Sequence, residues 1–188
     1  VFLRRVTEYL LRYEPFWEGD IIDIGCGNGI LSCFLAQSHP DSYVTGLDLS
    51  SNAVAVAEEL AQSLEIENIC FECSDKPRQR ACGTLFSCRT VHENVAWRPL
   101  REEAVGAALS AKEQAKRHEG YARELSAFVR PQGYLISVER YEDDSAYAGL
   151  TDALKRQGFC QVKGTHVQFS CKNGDETAVF QASIFQKE

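Results

Sequence analysis

The stretch D-I-G-C-G-N-G, residues 23–29, separates an apolar run from an amphipathic segment. The run at 21–24, bounded by Gly19 and Gly25, is typical of a strand buried on both faces. Glycines in the loop that follows allow positive φ and let a ligand approach the backbone closely. Because ligands of open α/β sheets bind at the carboxyl ends of the strands, the stretch predicts a ligand-binding loop after the first strand.

Strand and helix patterns alternate along most of the chain, which is typical of parallel strands joined by crossover helices on both faces of a sheet. The last part differs, because 159–169 and 177–185 alternate in polarity and are joined by Asn173-Gly174, a hairpin signal. The predicted fold is therefore a three-layer α/β sandwich, with a mostly parallel seven-stranded sheet that ends in an antiparallel hairpin. The first helix is expected at the edge of this sheet. The other predicted elements are helices at 2–13, 30–35, 53–64 and 146–157, two helices interrupted near Gly120 between Arg101 and Val129, and strands at 43–49, 69–73, 84–88 and 134–140.

Composition is that of an ordinary globular protein, with 44% hydrophobic and 25% charged residues. No apolar run reaches the length of a membrane span, and no linker divides the chain, so one domain over 1–188 is predicted. The chain begins at Val1 and has no methionine, which favours a chain truncated at its N-terminus. The net charge of −7 disfavours polyanions, so nucleic acid is expected to be an unlikely partner. The oligomeric state is left open.

Eight cysteines, most of them in apolar segments, favour the reducing cytoplasm as the location. Cys70 and Cys73 form a C-x-x-C pair. Residues three apart on a strand point to opposite faces, so a zinc or redox role for this pair is disfavoured.

Two nucleotide-binding patterns can be compared with the glycine loop. The dinucleotide pattern G-x-G-x-x-G needs a third glycine where this chain has Ile30, and no G-K-[ST] of a P-loop follows. A glycine loop preceded by an acid instead suits a cofactor with a positive charge and no pyrophosphate. A nicotinamide-dependent oxidoreductase remains an alternative, because it shares the strand-loop-helix start and an acid about 20 residues further on.

The same loop resembles a known family. D-I-G-C-G-N-G at 23–29 is similar to the first motif of the class I, Rossmann-like, S-adenosylmethionine-dependent methyltransferases. Asp48, 23 residues after Gly25 and at the end of the second predicted strand, resembles the family's ribose-binding acid. Ser74-Asp75 ends the third strand, as the family's adenine-contacting acid does.

Two later stretches extend the resemblance. C-R-T-V at 88–91 is similar to the C-R-N-V of chemotaxis-receptor methyltransferases, with Thr90 in place of asparagine. V-R-P-Q-G-Y at 129–134 resembles the turn before the family's fifth strand, although Gln132 separates the proline from the glycine. The matches follow the family's order from 20 to 185.

The resemblance implies S-adenosylmethionine as the cofactor. Asp23 would hydrogen-bond near the methionine amino group through the loop or water, and Asp48 would accept hydrogen bonds from the ribose hydroxyls. The plain alternatives are that Asp48 caps a helix and that Asp75 begins a surface turn. The predicted cofactor-binding residues are Asp23, Gly25, Cys26, Gly27, Asn28, Asp48, Leu49, Ser74, Asp75 and Arg89.

Methyl transfer is an in-line displacement at a sulfonium carbon, so alignment and desolvation are the protein's main tasks. His92 and Glu93 follow the fourth strand, where the family places substrate-facing residues, and either is a candidate general base for a hydroxyl acceptor. Alternatively His92 only lines the pocket and Glu93 caps a turn. Residues 139–141, at the end of the fifth strand, either border the acceptor site or are exposed loop anchors.

Missing motifs narrow the predicted acceptor. No Asn/Asp-Pro-Pro-Tyr follows the fourth strand, so the family's arrangement for amide or exocyclic base nitrogens is absent, and no Pro-Cys pair indicates attack on cytosine carbon. By elimination, the predicted acceptor is a small molecule with a hydroxyl, amine or carboxylate group, and a protein acceptor is less favoured. A catalytically silent cofactor-binding module of a longer protein remains an alternative.

Overall fold

The computed structural model describes residues 1–78, 81–90, 111–141, 144–173 and 176–188. Within these ranges the chain forms five α-helices, a 3-10 turn at Glu14–Phe16 and eight strands. The helices are α1 (Phe2–Arg12), α2 (Ile30–Ser38), α3 (Ser51–Ser63), α4 (Ala111–Phe128) and α5 (Asp144–Arg156). The strands are β1 (Ile21–Ile24), β2 (Val44–Asp48), β3 (Ile69–Cys73), β4 (Cys82–Cys88), β5 (Val129–Arg140), β6 (Phe159–Gln161), β7 (Val167–Asn173) and β8 (Glu176–Lys187).

All eight strands belong to one sheet with the order β3-β2-β1-β4-β5-β8-β6, and β7 also pairs with β8. The first five strands are parallel, and β8 runs antiparallel to β5 and to both of its other neighbours. Ala182 of β8 pairs with Val138 on one side and with Val167 on the other, so β7 lies across β8 from β5. The predicted fold class, including the terminal hairpin, is confirmed.

The sheet has eight strands rather than seven because the strand predicted at 159–169 is broken in two. Gly164 has a φ of +79°, which turns the chain out of the strand. The Thr165 hydroxyl then donates to the Val162 carbonyl at 2.8 Å and accepts the Ile184 N–H at 3.2 Å. A side chain therefore satisfies backbone groups that a continuous strand would have paired.

Helices cover both faces of the sheet. On one face α1 and α2 bury their apolar stripes in a cluster that includes Phe86, Ile136 and Ala182, while α3 packs on Phe71 of β3. Helix α1 lies towards the β7 edge of the sheet, in line with its expected place: its Phe2 ring is 6.4 Å from that of Phe169 on β7, and its Tyr9 hydroxyl donates to the Thr165 carbonyl at 2.9 Å. Its Val6 also belongs to the cluster that covers the central strands. On the other face α4 and α5 pack against the opposite side chains of β4, β5 and β8. Among the described helices, none has both the length and the apolarity to cross a membrane.

Helix α4 runs without interruption from Ala111 to Phe128, so the break predicted near Gly120 is wrong. A glycine inside a helix costs about 1 kcal/mol relative to alanine. Burial of Tyr121, Ala122 and Leu125 directly after it offsets that cost. The start of the predicted helical region, up to residue 110, lies outside the described residues.

Candidate functional site

The loop between β1 and α2 has the backbone that its glycines predict. Gly25, Gly27 and Gly29 have φ values of +71°, +55° and +75°. The Gly25 N–H donates to the Leu47 carbonyl at 2.7 Å, which extends the pairing of β1 with β2 into the loop. A Cβ on Gly25 would lie 2.5 Å from the Thr90 hydroxyl, so this position has no room for a side chain.

Gly29 takes on the packing role that the dinucleotide pattern gives to its third glycine. A Cβ there would lie 2.6 Å from the Ala57 Cβ and 2.9 Å from the Phe71 Cζ. The start of α2 therefore packs tightly against α3 and β3. Ile30, which breaks the dinucleotide pattern, is 41% exposed and carries no part of this contact.

Asp48 joins the end of β2 to the loop. Its Oδ2 accepts the Gly27 N–H at 2.9 Å, and its Oδ1 accepts the Ser50 N–H at 2.8 Å. The helix cap of α3 is Ser50, whose hydroxyl accepts the Ala53 N–H at 3.3 Å, so Asp48 is not the capping residue. Each carboxylate oxygen accepts more than one hydrogen bond, so the half-buried Asp48 has capacity for ligand hydroxyls.

Asp23 is only 1% exposed at the end of β1. Its Oδ2 accepts a hydrogen bond from the Ser32 hydroxyl, on the first turn of α2. Burial raises the pKa of Asp23 to about 7, and the nearby charge of Asp48 adds to this, while the Ser32 hydrogen bond opposes it. A positively charged group placed next to Asp23 would favour its ionised form.

The end of β3 lies beside Asp48, because Cys73 is the register partner of that residue. Asp75 is exposed, and Leu49 on the neighbouring strand end is 68% exposed. Ser74 forms a turn, since its hydroxyl accepts the Lys76 N–H at 3.1 Å and donates to the Lys76 carbonyl at 2.9 Å. The predicted ribose and adenine residues thus lie side by side at the carboxyl ends of β2 and β3.

A cavity of about 290 Å³, here called the glycine-loop cavity, lies between the starts of α1 and α2. It brings together five of the predicted cofactor residues. Gly27, Asp48, Leu49, Ser74 and Asp75 are not on its lining, so the adenosine side of the predicted site lies outside it. The lining residues are Phe2, Leu3, Asp23, Gly25, Cys26, Asn28, Ile30, Leu31, Cys88 and Arg89.

Sequence reasoning missed the apolar half of this lining. Phe2 and Leu3 come from α1, which was predicted as a helix at the sheet edge with no part in the site. Their side chains belong to the same helical stripe pattern as the core residues, so no sequence signal separates a cavity wall from a buried core. Ile30 and Leu31 were predicted only as the apolar stripe of α2.

The candidate general bases His92 and Glu93 lie outside the described residues. At the end of β5, Glu139 is completely buried and Tyr141 is 4% exposed, so neither is the exposed loop anchor that was the alternative. The Ser87 hydroxyl donates to Glu139 Oε1 at 2.6 Å, and a buried histidine of α4, His118, is hydrogen-bonded through Nε2 to the Tyr141 hydroxyl at 2.7 Å. Burial lowers the pKa of His118 to about 4, so it is neutral at pH 7. Nothing in the sequence pattern pointed to Ser87 or His118.

The C-x-x-C pair makes two separate contacts. The Cys70 thiol donates to the Thr45 hydroxyl at 3.7 Å, and the Cys73 thiol donates to the Leu49 carbonyl at 3.6 Å. Both cysteines are free thiols. The described ranges hold no cluster of three or more histidine, cysteine or acidic side chains suited to a metal ion.

Comparison with known proteins identifies the class of this site. A family model described as a methyltransferase domain matches residues 18–77, which contain β1, the glycine loop, β2 and β3. The fold is similar to that of a magnesium protoporphyrin IX methyltransferase from Synechocystis with bound S-adenosylmethionine, with a TM-score of 0.66 at 17% identity, covering 100% of this chain and 78% of that one.

Two curated relatives are similar in sequence. A tRNA (guanine-N(7)-)-methyltransferase of Rubrobacter xylanophilus is 37% identical over 137 residues, which is 73% of this chain and 57% of that protein. A ribosomal RNA large subunit methyltransferase G of Streptomyces griseus is 42% identical over 55 residues, which is 28% of this chain and 14% of that protein. The chain therefore spans less than two thirds of the length of either relative.

These findings confirm the resemblance inferred from the sequence: residues 18–77 match a methyltransferase domain, and the chain has the fold of a class I, Rossmann-like methyltransferase. Enzymes of this class use S-adenosylmethionine, so the predicted cofactor is confirmed as well. The prediction that nucleic acid is an unlikely partner is wrong, because several relatives are methyltransferases of ribosomal or transfer RNA. The net charge of −7 is a sum over the whole chain and does not describe the surface around one site.

Proposed function

We propose that this chain binds S-adenosylmethionine along the edge formed by the ends of β1, β2 and β3 and transfers its methyl group to an acceptor. One observation carries the proposal: the Asp48 carboxylate holds the Gly27 N–H at 2.9 Å, which fixes a glycine loop between two acids. The first acid, Asp23, is buried at the loop's entrance, and the second keeps accepting capacity for a sugar. The arrangement suits a nucleoside that carries a positive charge.

Charges along the edge match the parts of the cofactor. Asp48 would accept the ribose hydroxyls, and Asp23 would balance the methionine ammonium directly or through the loop. Arg89 is the cationic residue on the described lining of the glycine-loop cavity, so we assign it to the methionine carboxylate. Asp75 and Leu49, at the neighbouring strand ends, would border the adenine.

The bound cofactor would supply an electrophilic methyl group on a sulfonium sulfur. The acceptor's lone pair forms the new bond to that carbon as the carbon–sulfur bond breaks, and the sulfur keeps the bonding electrons. Residues of this chain have to hold the acceptor in line and exclude water. A hydroxyl acceptor also has to lose a proton, for which His92 and Glu93 stay the predicted bases.

The acceptor has two candidate classes. The sequence predicts a small molecule with a hydroxyl, amine or carboxylate group, and that stays a prediction. A nucleic-acid acceptor is a second candidate, favoured by the 37% identity over 137 residues to a tRNA methyltransferase. We also keep a single domain over 1–188 as part of the proposal, and a cytoplasmic location, in line with eight free thiols.

Calorimetric titration with S-adenosylhomocysteine and with NAD tests cofactor binding. We expect the chain to bind the first and not the second, and expect Asp48→Ala and Gly27→Val to lower the affinity at least tenfold. Asp41→Ala, an exposed acid away from the glycine loop, serves as the matched control. Binding of NAD alone, or undiminished affinity in both variants, would contradict the proposal.

Transfer of a radiolabelled methyl group from S-adenosylmethionine tests the reaction. The acceptors are transcribed tRNA, fragments of ribosomal RNA, and a set of small hydroxyl, amine and carboxylate compounds. Label in RNA supports the second candidate, and label in a small molecule supports the first. Tight binding of S-adenosylhomocysteine with no transfer to any acceptor would favour the catalytically silent module instead.

A further inference from the structure

The Arg89 side chain lies against an aromatic ring of α1, a helix far from it in the sequence. Its guanidinium carbon is 5.7 Å from the centroid of the Phe2 ring. The backbone beneath it is fixed, because the Arg89 N–H donates to the Val138 carbonyl at 2.9 Å and the Thr90 hydroxyl donates to the Ile24 carbonyl at 2.8 Å. Arg89 also has a φ of +63°, which a non-glycine residue rarely adopts. Contacts with three strands thus fix the backbone position of Arg89. The direction of its long side chain depends on the groups that it contacts.

The Phe2 ring is held by the terminal hairpin. Its centroid is 4.6 Å from that of Phe180 on β8 and 6.4 Å from that of Phe169 on β7. Phe169 and Phe180 stack on each other at 5.4 Å, and Phe180 is 5% exposed. Phe2 therefore has a fixed position, although it lies on the first turn of α1.

Phe2 and Arg89 both line the glycine-loop cavity, together with the buried acid Asp23. The cavity thus has a buried carboxyl group at the loop and a cationic group beside the aromatic ring. An α-amino carboxylate carries the two complementary charges. A guanidinium over a ring face is restricted in direction, whereas one in open solvent samples many rotamers.

We propose that Phe2 is a positioning residue for Arg89, and that together they select cofactors with an amino-acid tail over nucleosides that lack one. The first helix and the terminal hairpin then belong to the cofactor site through the contact of Phe2 with Phe180. This inference rests on the proposed function and adds the specificity of the same site.

The test compares two ligands that share the adenosine and the thioether. S-adenosylhomocysteine has the amino-acid tail and 5′-methylthioadenosine lacks it, so calorimetry on the 188-residue chain separates tail binding from nucleoside binding. Arg89→Ala should lower the affinity for S-adenosylhomocysteine about tenfold or more, as expected for a lost charged hydrogen bond, and leave the affinity for 5′-methylthioadenosine unchanged. Phe2→Leu keeps an apolar side chain but removes the ring face. This variant should lower the affinity for S-adenosylhomocysteine about threefold and leave the affinity for 5′-methylthioadenosine unchanged.

A double-mutant cycle and a conservative variant separate positioning from packing. Phe2→Trp should restore the affinity for S-adenosylhomocysteine, and Phe2→Leu should have no further effect in the Arg89→Ala background. Leu11→Ala, at a position 58% exposed on the same helix, should change neither affinity. Thermal unfolding of each variant reports whether the fold is kept.

Three outcomes would overturn the inference. Equal weakening of both ligands by Phe2→Leu would make Phe2 a packing residue only. An unchanged affinity of Phe2→Leu for S-adenosylhomocysteine, or full additivity of its effect with that of Arg89→Ala, would show that the two side chains act independently. In each case wild-type binding of S-adenosylhomocysteine leaves the proposed function standing, whereas a wild type that binds neither ligand overturns both.

Discussion

The Asp48 carboxylate accepts the backbone N–H of Gly27 at 2.9 Å and so ties the end of β2 to the middle of the glycine loop. The same carboxylate accepts the Ser50 N–H at the start of α3. One side chain therefore fixes the two backbone segments between which a nucleoside would lie. We expect its loss to lower both stability and ligand affinity, which makes it the first position to change.

Asp48→Asn replaces an acceptor of two N–H groups by an amide with one acceptor oxygen. One of the two backbone N–H groups then faces an amide N–H, so we expect a loss of about 2 kcal/mol in the free energy of unfolding. Affinity for S-adenosylhomocysteine should fall at least tenfold. Urea unfolding and calorimetry measure the two effects. Asp41→Asn, at an exposed position, is the control and should change neither.

Gly29→Ala should be more destabilising than Gly158→Ala, although both glycines have positive φ. A Cβ at Gly29 would meet Ala57 at 2.6 Å, whereas a Cβ at Gly158 meets no atom within 4 Å. We expect a cost of about 3 kcal/mol for the first and about 1 kcal/mol for the second, as seen in urea midpoints. Equal costs would show that α2 shifts freely away from its neighbours.

Two buried groups should give the stability opposite pH dependences. The pKa of Asp23 is raised from 3.8 to about 7, so between these values the folded state holds a proton that the unfolded state has released, and stability falls as pH rises. The pKa of His118 is lowered from 6.5 to about 4, so the unfolded state holds the extra proton, and stability rises with pH over that range. Each effect amounts to roughly 3 to 4 kcal/mol over its full range.

Single variants separate these two effects. Relative to wild type, Asp23→Asn should gain stability as pH rises from about 4 to 7, because the falling contribution of Asp23 is removed. His118→Gln should lose stability relative to wild type as pH rises from about 4 to 6.5. Urea unfolding at half-unit pH intervals measures both differences. Parallel curves for the three proteins would contradict the assigned pKa values.

Ser87→Ala should destabilise the junction of β4 and β5. It removes the hydroxyl that donates to the fully buried carboxylate of Glu139 at 2.6 Å. Loss of one hydrogen-bond partner of a fully buried polar group is expected to cost about 2 kcal/mol. Ser63→Ala, where the hydroxyl lies on the exposed face of α3, is the matched control and should cost under about 0.5 kcal/mol. Equal urea midpoints for the two variants would show that the hydrogen bond from Ser87 to Glu139 does not stabilise this junction.

The parts of the fold predicted correctly are those that depend on local sequence, and the roles of the site residues stay predictions. The glycine loop and Asp48 follow from a short motif and a fixed spacing, and the contact between Gly27 and Asp48 joins residues 21 positions apart. The break at Gly164 and Thr165 was missed because the polarity pattern of 159–169 continues through it. The continuity of α4 through Gly120 depends on burial against the sheet, which propensity does not contain.

Several features that the sequence did not predict depend on contacts between residues far apart in the chain. Phe2 reaches the cavity because the hairpin, more than 160 residues later, holds its ring. The pair of His118 and Tyr141 forms only when α4 lies on the sheet. The expectation about nucleic acid was wrong for a different reason, since a total charge says nothing about which groups surround the acceptor.

Strand β8 lies inside the sheet, between β5 on one side and β6 and β7 on the other. During synthesis this interior strand therefore leaves the ribosome after β5, β6 and β7, the strands that flank it. Until residues 176–187 emerge, the long edge of β5 has no partner on that side, and an exposed apolar edge can recruit other chains. Completion of the sheet is consequently a late event, and chaperone binding to the nascent chain should end when β8 becomes available.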